Sequence, residues 1–307
     1  DGTSCLNIPT PPSSSCSCNG NAYTNDGKTI YCISTNQTLP TNSCTSYYIT
    51  GTFTDNGKGL TLKNKNLYVS GGVNITGPLN LTNSTFVTDG IQYFDSTVNA
   101  TNSNIYTTGG AMIFEPGTVL SGTKVYNGVG GITFNSTNGQ NITADLCGNS
   151  HCNSNNDSIV FTNGILNIYG PIQGGLLYGN GGLSISGVNG NGDVGTTTEP
   201  VVAISGMGTN ASMNISMSET NPMSGTTQFN GLIMSWLLGN FTIENNQING
   251  ALYANNLVSF SVGDNASINF NYAILSQIAN AFPTLFDSVN CYNNGPQQVM
   301  LNAMTLY

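Results

Sequence analysis

Glycine recurs ahead of a short apolar segment at Gly51, Gly72, Gly90, Gly110 and Gly131, in steps of 21, 18, 20 and 21 residues. The same beat returns at Gly231 and Gly250, 19 apart, with Gly164 and Gly175 between them and an irregular stretch near 187–225 that reads as an insertion. A sustained period near 20 is the signature of a solenoid, in which each unit buries its apolar face only against its neighbours. Within the units apolar residues alternate, as in Leu60 and Leu62, Leu67 and Val69, Leu183 and Ile185, or Phe241 and Ile243, and Gly, Asn or Asp follows. That is strand periodicity closed by turn chemistry. The pattern predicts an all-β chain, a right-handed parallel β-helix of about 20 residues per coil.

Asparagine fits this architecture, because it tolerates left-handed backbone angles at corners and stacked copies can hydrogen-bond along the axis. A solenoid also needs caps, since its ends template further strand pairing. Residues 1–50, rich in cysteine, are expected to cover the N-terminal end, followed by the solenoid at 51–271 and a C-terminal cap at 272–307. In the cap, Ile274, Leu275, Ile278, Ala281, Phe282 and Leu285 recur near helical spacing, and Pro283 ends or kinks the helix. Residues 299–307 read as one more strand, folded back or donated to a neighbouring subunit through Val299, Leu301, Met304, Leu306 and Tyr307.

Composition decides which partners such a rod can have. Only 6% of the 307 residues are charged, the net charge is −9, and the basic residues are Lys28, Lys58, Lys63, Lys65 and Lys124, without a single arginine. Too little positive charge is present to neutralise a phosphate backbone or an anionic membrane surface. The polarity comes instead from 46 Asn, 66 Ser plus Thr, and 38 Gly. With 38% of residues apolar and dispersed, the chain is expected to be ordered. No cleavable signal peptide is read, and the most apolar run, residues 232–238, is far short of the roughly 20 residues of a spanning helix.

The eight cysteines, Cys5, Cys16, Cys18, Cys32, Cys44, Cys147, Cys152 and Cys291, are an even set, which favours disulfides in an extracellular or cell-surface protein. Cys147 and Cys152 are spaced to staple one loop, which leaves Cys291 to tie the C-terminal region to the five N-terminal cysteines. Cys147, His151 and Cys152 also have the chemistry of a zinc or copper site, but no fourth ligand is nearby, so no metal is expected. Glycosylation sequons occur at Asn36, Asn74, Asn80, Asn83, Asn99, Asn135, Asn141, Asn156, Asn210, Asn214, Asn240 and Asn265. Chance would produce about 10 matches at this composition, so N-linked glycans are compatible with the sequence and not demanded by it. The Gly- and Asn-dense segment ending at Asp193 has too few carboxylates for a tight calcium site. No cofactor is expected.

The stretch from Gly231 through Phe241 and Ile243, then Ile248 through Leu252 and Tyr253 to Gly263, Asp264, Ile268 and Tyr272, resembles the extracellular β-helical part of pilus-assembly minor pilins. The resemblance covers about a quarter of the chain, and the hydrophobic N-terminal helix through which pilins assemble is not read in these residues. The Asn, Thr and Ser content is similar to that of surface-layer and thread-filament proteins of thermophilic archaea. Both resemblances imply a cell-surface structural or adhesive protein without catalytic residues, assembling with itself or with other surface proteins.

The alternative class is a carbohydrate-active enzyme or glycan-binding module, for which the sequence supplies one carboxylate pair. Asp95 and Glu115 each fall five residues after their unit's glycine and would stack on adjacent coils. Paired carboxylates serve glycoside hydrolysis. The lack of arginine argues against a lyase acting on acidic sugars, and His151, the sole histidine, rules against a nucleophilic triad on a strand-to-helix elbow. A glycan reading predicts an exposed aromatic platform or a carboxylate pair in one groove of the helix.

Overall fold

The computed structural model describes residues 22–25, 28–34, 39, 45–135, 142–148, 152–153, 155–186, 193–206, 211–218, 227–236, 238–244, 246–254, 257–262 and 267–282. It is a parallel β-solenoid built from a 13-stranded sheet 1, a 10-stranded sheet 2 and a 6-stranded sheet 3. One coil shows the path: Val73–Ile75 in sheet 2, Leu79–Thr82 in sheet 3 and Thr85–Thr88 in sheet 1, before Gln92–Phe94 starts the next coil. Each strand pairs in parallel with its counterpart one coil away, so the backbone groups of one coil are satisfied by the next. The exception among the described residues is the antiparallel pair Ala22–Asn25 with Lys28–Ser34, which opens sheet 1.

Alternation along each strand sends every second side chain inward. In sheet 2 the inward row runs Ile75, Phe94, Phe114, Phe134, Ile168, Ile185 and Ile215, all buried. Its phenylalanines stack at 4.9 Å between Phe94 and Phe114 and again between Phe114 and Phe134. Each buried ring contributes about 1.5–3 kcal/mol, and each stacked pair about 0.5–1.5 kcal/mol more.

The corners explain the asparagine and glycine content. Asn64, Asn83 and Asn102 stand one above another with φ of 54°, 47° and 47°, and the equivalent corner one coil on is Gly122 at φ 57°. Asn83 Nδ2 donates to Asn64 Oδ1 at 3.3 Å, and on sheet 3 Asn99 Nδ2 donates to Asn80 Oδ1 at 3.2 Å, the axial ladders expected of stacked amides. At the corner between sheets 1 and 2 the reason for glycine is space: a Cβ on Gly130 would lie 1.9 Å from the carbonyl oxygen of Gly110.

Through its middle coils sheet 1 is buried on both faces. Its strands carry apolar pairs, Phe86 with Val87, Ile105 with Tyr106, Val125 with Tyr126, Val160 with Phe161 and Leu177 with Tyr178, whose first members join the interior while the second form an outer layer. Within that layer Tyr126, Phe161 and Tyr178 stack at successive 5.0 Å spacings. Helix α1, Tyr272–Ala281, packs on the same layer through Ile274, Ile278 and Ala281. Its start is capped by Asn271, whose side chain accepts from the N–H groups of Ala273 and Ile274, and Pro283 follows its C-cap, Phe282.

Two coils depart from the regular period. Lys124 pairs with Ile159 because the intervening coil carries the loop holding the Cys147–Cys152 disulfide. Among the described residues sheet 3 ends at Ile172–Gln173, after which the strands alternate between sheets 1 and 2. The stretch expected as an irregular insertion contains two rungs, Val201–Ser205 and Ser212–Ser218, which continue those sheets. Val194 adds an isolated parallel bridge to Phe229 and is buried in the core, while the other residues of that stretch connect the rungs or lie outside the described residues, as does the expected strand at 299–307.

Candidate functional site

Two regions stand apart from the satisfied interior. The first is the C-terminal end of sheet 1. Strand Ser267–Phe270 pairs on one side with Asn246–Ala254, placing Ile268 beside Ile248 and Phe270 beside Gly250, and among the described residues no strand pairs with its other side. The row Phe229, Ile248, Ile268 begins in the core, where the first two are buried, yet Ile268 is 46% exposed and Phe270 63%. Among the described residues the interior of the rod therefore ends on an apolar rung.

The second region is the outward flank of sheet 2. Register pairs Phe94 with Phe114, Phe114 with Phe134 and Phe134 with Ile168, so the residues that follow, Asp95, Glu115, Asn135 and Tyr169, occupy equivalent outward positions on four successive coils. The alignment expected of Asp95 and Glu115 is present. Glu115 Oε1 accepts a 2.8 Å hydrogen bond from Asn135 Nδ2. Tyr93, two residues before Asp95 on the same outward side, is 41% exposed, and Tyr169 is 43% exposed. Ile91 and Ile165, three coils apart at the entry to their strands, are exposed too.

Tyr93 points out because Gln92, its neighbour, occupies the inward row between Val73 and Met112. Gln92 is fully buried and donates from Nε2 to Thr88 Oγ1 at 2.7 Å and to the Tyr106 carbonyl at 2.8 Å. The tyrosines were not among the expected site residues. Aligning the units on their glycines would have found Tyr93, since Gln92 follows Gly90 at the spacing by which Met112 follows Gly110.

Cys147 and Cys152 form the expected loop disulfide, buried and pressed against Gly174. With both sulfurs oxidised, no thiolate is left for a metal. Asp157 Oδ1 lies 3.0 Å from Cys147 Sγ, and Asp157 Oδ2 is buried with no hydrogen-bond partner. Burial pushes this carboxyl up to about 7, because ionising it here leaves the charge without a compensating donor. Sequence spacing gave no hint of this neighbour. His151 lies outside the described residues, as do Cys5, Cys16, Cys18, Cys44 and Cys291, and Cys32 is placed only as a residue of strand Lys28–Ser34.

Of the sequon asparagines, Asn36, Asn141, Asn210 and Asn265 lie outside the described residues, and Asn240 is placed only as part of strand Leu238–Glu244. Asn83, Asn99 and Asn135 spend their Nδ2 groups on lateral bonds between coils, and Asn214 Nδ2 donates to Ser212 Oγ. Asn80 Oδ1 accepts from Asn99, and Asn156 Oδ1 accepts from the Asn153 N–H. Asn74 lies in the outward row beside Tyr93, with Oδ1 buried. Asp193, from the segment weighed for calcium, accepts at Oδ1 from the Gln228 N–H at 2.8 Å. No helix among the described residues is long and apolar enough to cross a membrane.

No protein-family profile, curated protein or solved structure matches the chain.

Proposed function

We propose that this chain is an extracellular structural protein of the cell surface, the subunit of a filament or pilus-like fibre or an adhesin, and that it assembles by strand exchange. The observation that carries the reading is the apolar rung at the C-terminal end of sheet 1, where Ile268 continues the core row of Phe229 and Ile248 but stays 46% exposed. A parallel strand laid on Ser267–Phe270 would repeat the geometry of the parallel rungs before it, filling the edge left unpaired among the described residues and covering Ile268. Residues 299–307 have the pattern for that work, with Val299 and Leu301 alternating and then Met304 and Leu306, before Tyr307. Each apolar side chain buried there contributes about 1.5–3 kcal/mol. The near-neutral surface of amides and hydroxyls suits a rod that must stay insensitive to pH and salt outside the cell, where disulfides persist and sequons can be glycosylated.

The test is electron microscopy and sedimentation of the purified chain beside a variant truncated after residue 298. Fibres formed by the full chain and absent from the truncated one are the expected result. A full-length chain that stays monomeric at high concentration, or a truncated chain that still polymerises, would overturn the reading.

A further inference from the structure

We infer that the outward flank of sheet 2 is a binding surface for a neutral polysaccharide, lying along the solenoid axis across the coils that carry Tyr93, Asp95, Glu115, Asn135 and Tyr169. Tyr93 and Tyr169 are each about two-fifths exposed on a parallel sheet face whose inward rows are fully packed, so nothing in the core requires them. An exposed tyrosine ring costs apolar hydration and offers a flat face with a hydroxyl at its edge, which suits stacking against the C–H face of a pyranose. In the row beside Tyr93 stand the polar groups such a ligand needs, Asp95 on the coil of Tyr93 and Glu115 and Asn135 on the next two coils, before Tyr169. Asp95 and Glu115 accept hydrogen bonds from sugar hydroxyls, and Asn135, held against Glu115 by a 2.8 Å bond, presents an amide in a fixed orientation.

Spacing favours a polymer over a single sugar. Equivalent side chains on adjacent coils of a parallel sheet stand about 4.8 Å apart, the order of length of one pyranose unit, so a linear glycan meets a polar group at each step. Charge favours a neutral one. The five lysines of the chain lie at positions 28, 58, 63, 65 and 124, none of them in the strands Gln92–Phe94, Met112–Phe114, Ile132–Phe134 or Ile165–Tyr169, and the flank itself carries two carboxylates that would repel a uronate polymer. Asp95 and Glu115 stand on adjacent coils, about 4.8 Å apart along the axis and close to the separation of a retaining glycosidase pair, so the reducing-end assay below separates a surface that holds its ligand from one that cleaves it.

The experiment is calorimetric titration of the intact protein with cellohexaose, mannohexaose and a soluble β-1,3-glucan, with polygalacturonate as the anionic comparison and reducing ends assayed afterwards. At least one neutral glycan is expected to bind, with Tyr93→Ala and Tyr169→Ala each weakening it tenfold or more, Tyr272→Ala leaving it unchanged, and the circular dichroism melting curves of all three variants matching the parent. The inference fails if none of the neutral glycans binds at millimolar concentration, if the tyrosine variants bind as well as the parent, if polygalacturonate binds more tightly, or if reducing ends accumulate.

Discussion

The carboxylate of Asp55 is bound twice by Thr76, one coil away, through the backbone N–H at 2.8 Å and the side-chain hydroxyl at 2.9 Å, both to Oδ1. Its other oxygen accepts from the N–H groups of Gly77 at 2.8 Å and Gly59 at 2.6 Å. Burial alone would raise this pKa, but the bonds from Thr76, Gly77 and Gly59 outweigh it and hold the group at about 2. The native state therefore releases this proton more readily than the unfolded chain, and the contribution is present above pH 3.8 and lost as pH falls toward 2. Asp55→Asn should flatten the acid limb of a melting-temperature profile between those values. At neutral pH it should cost about 1–3 kcal/mol, since an amide oxygen cannot serve both sets of donors. An unchanged acid limb in the variant would show that other carboxylates govern acid unfolding.

Asp157 should act in the opposite direction. Its pKa is raised by burial to about 7, so the folded chain holds a proton that the unfolded chain gives up near 3.8. Stability from this group is complete below 3.8 and is lost as pH rises through 7. Asp157→Asn, which keeps the shape and cannot ionise, should melt higher than the parent at pH 8 and match it near pH 4. Denaturant midpoints measured at both values check this, and a variant less stable than the parent at pH 8 would contradict it.

Gly130→Ala should be among the most damaging small substitutions in the solenoid. The new methyl would sit 1.9 Å from the Gly110 oxygen, a backbone atom in the coil below that cannot move without breaking its own ladder. Overpacking of this kind costs about 1–3 kcal/mol, and relief requires separating two coils. Gly117→Ala is the comparison, because a Cβ there meets only a Thr97 methyl at 3.4 Å and the cost is backbone strain at φ 85°. Chemical denaturation should rank Gly130→Ala as the less stable of the two.

Phe114→Ala removes the middle ring of the interior stack and leaves Phe94 and Phe134 facing a void. The expected loss is about 3–5 kcal/mol. Because each coil contacts mainly its neighbours, hydrogen exchange should quicken first in the coils of Phe94, Phe114 and Phe134, before the terminal coils respond. Uniform acceleration along the whole rod would mean that the solenoid unfolds as a single unit.

Much of the rod was legible in one dimension because its defining interactions repeat at short range. The pairing of Phe94 with Phe114, and hence of Asp95 with Glu115, follows from counting residues after glycine, since a parallel coil of constant length stacks like positions. Asn64, Asn83 and Asn102 were readable as corners for the same reason. The Cys147–Cys152 pair was readable because a sequence separation of 5 restricts the choice of partner. Tyr93 was harder, since within its own unit hydrophobicity favours Ile91 and Tyr93 as the inward pair, and only alignment with the coils above and below selects the phase that buries the Gln92 amide and exposes the ring.

The sequence by itself determined the pitch, the inward rows, the polar corners and the helix at Tyr272–Ala281, all set by spacing within a coil or between adjacent coils. Only the tertiary structure decided that the second residue of each apolar pair in sheet 1, such as Tyr126 beside Val125, would be buried as an outer layer. It alone placed Asp157 against the disulfide and brought Tyr169 into the outward row of Asp95, across a coil lengthened by the Cys147–Cys152 loop. The physical reason is that alternation fixes which side of a strand a residue occupies, whereas what covers that side depends on segments that arrive from elsewhere in the chain.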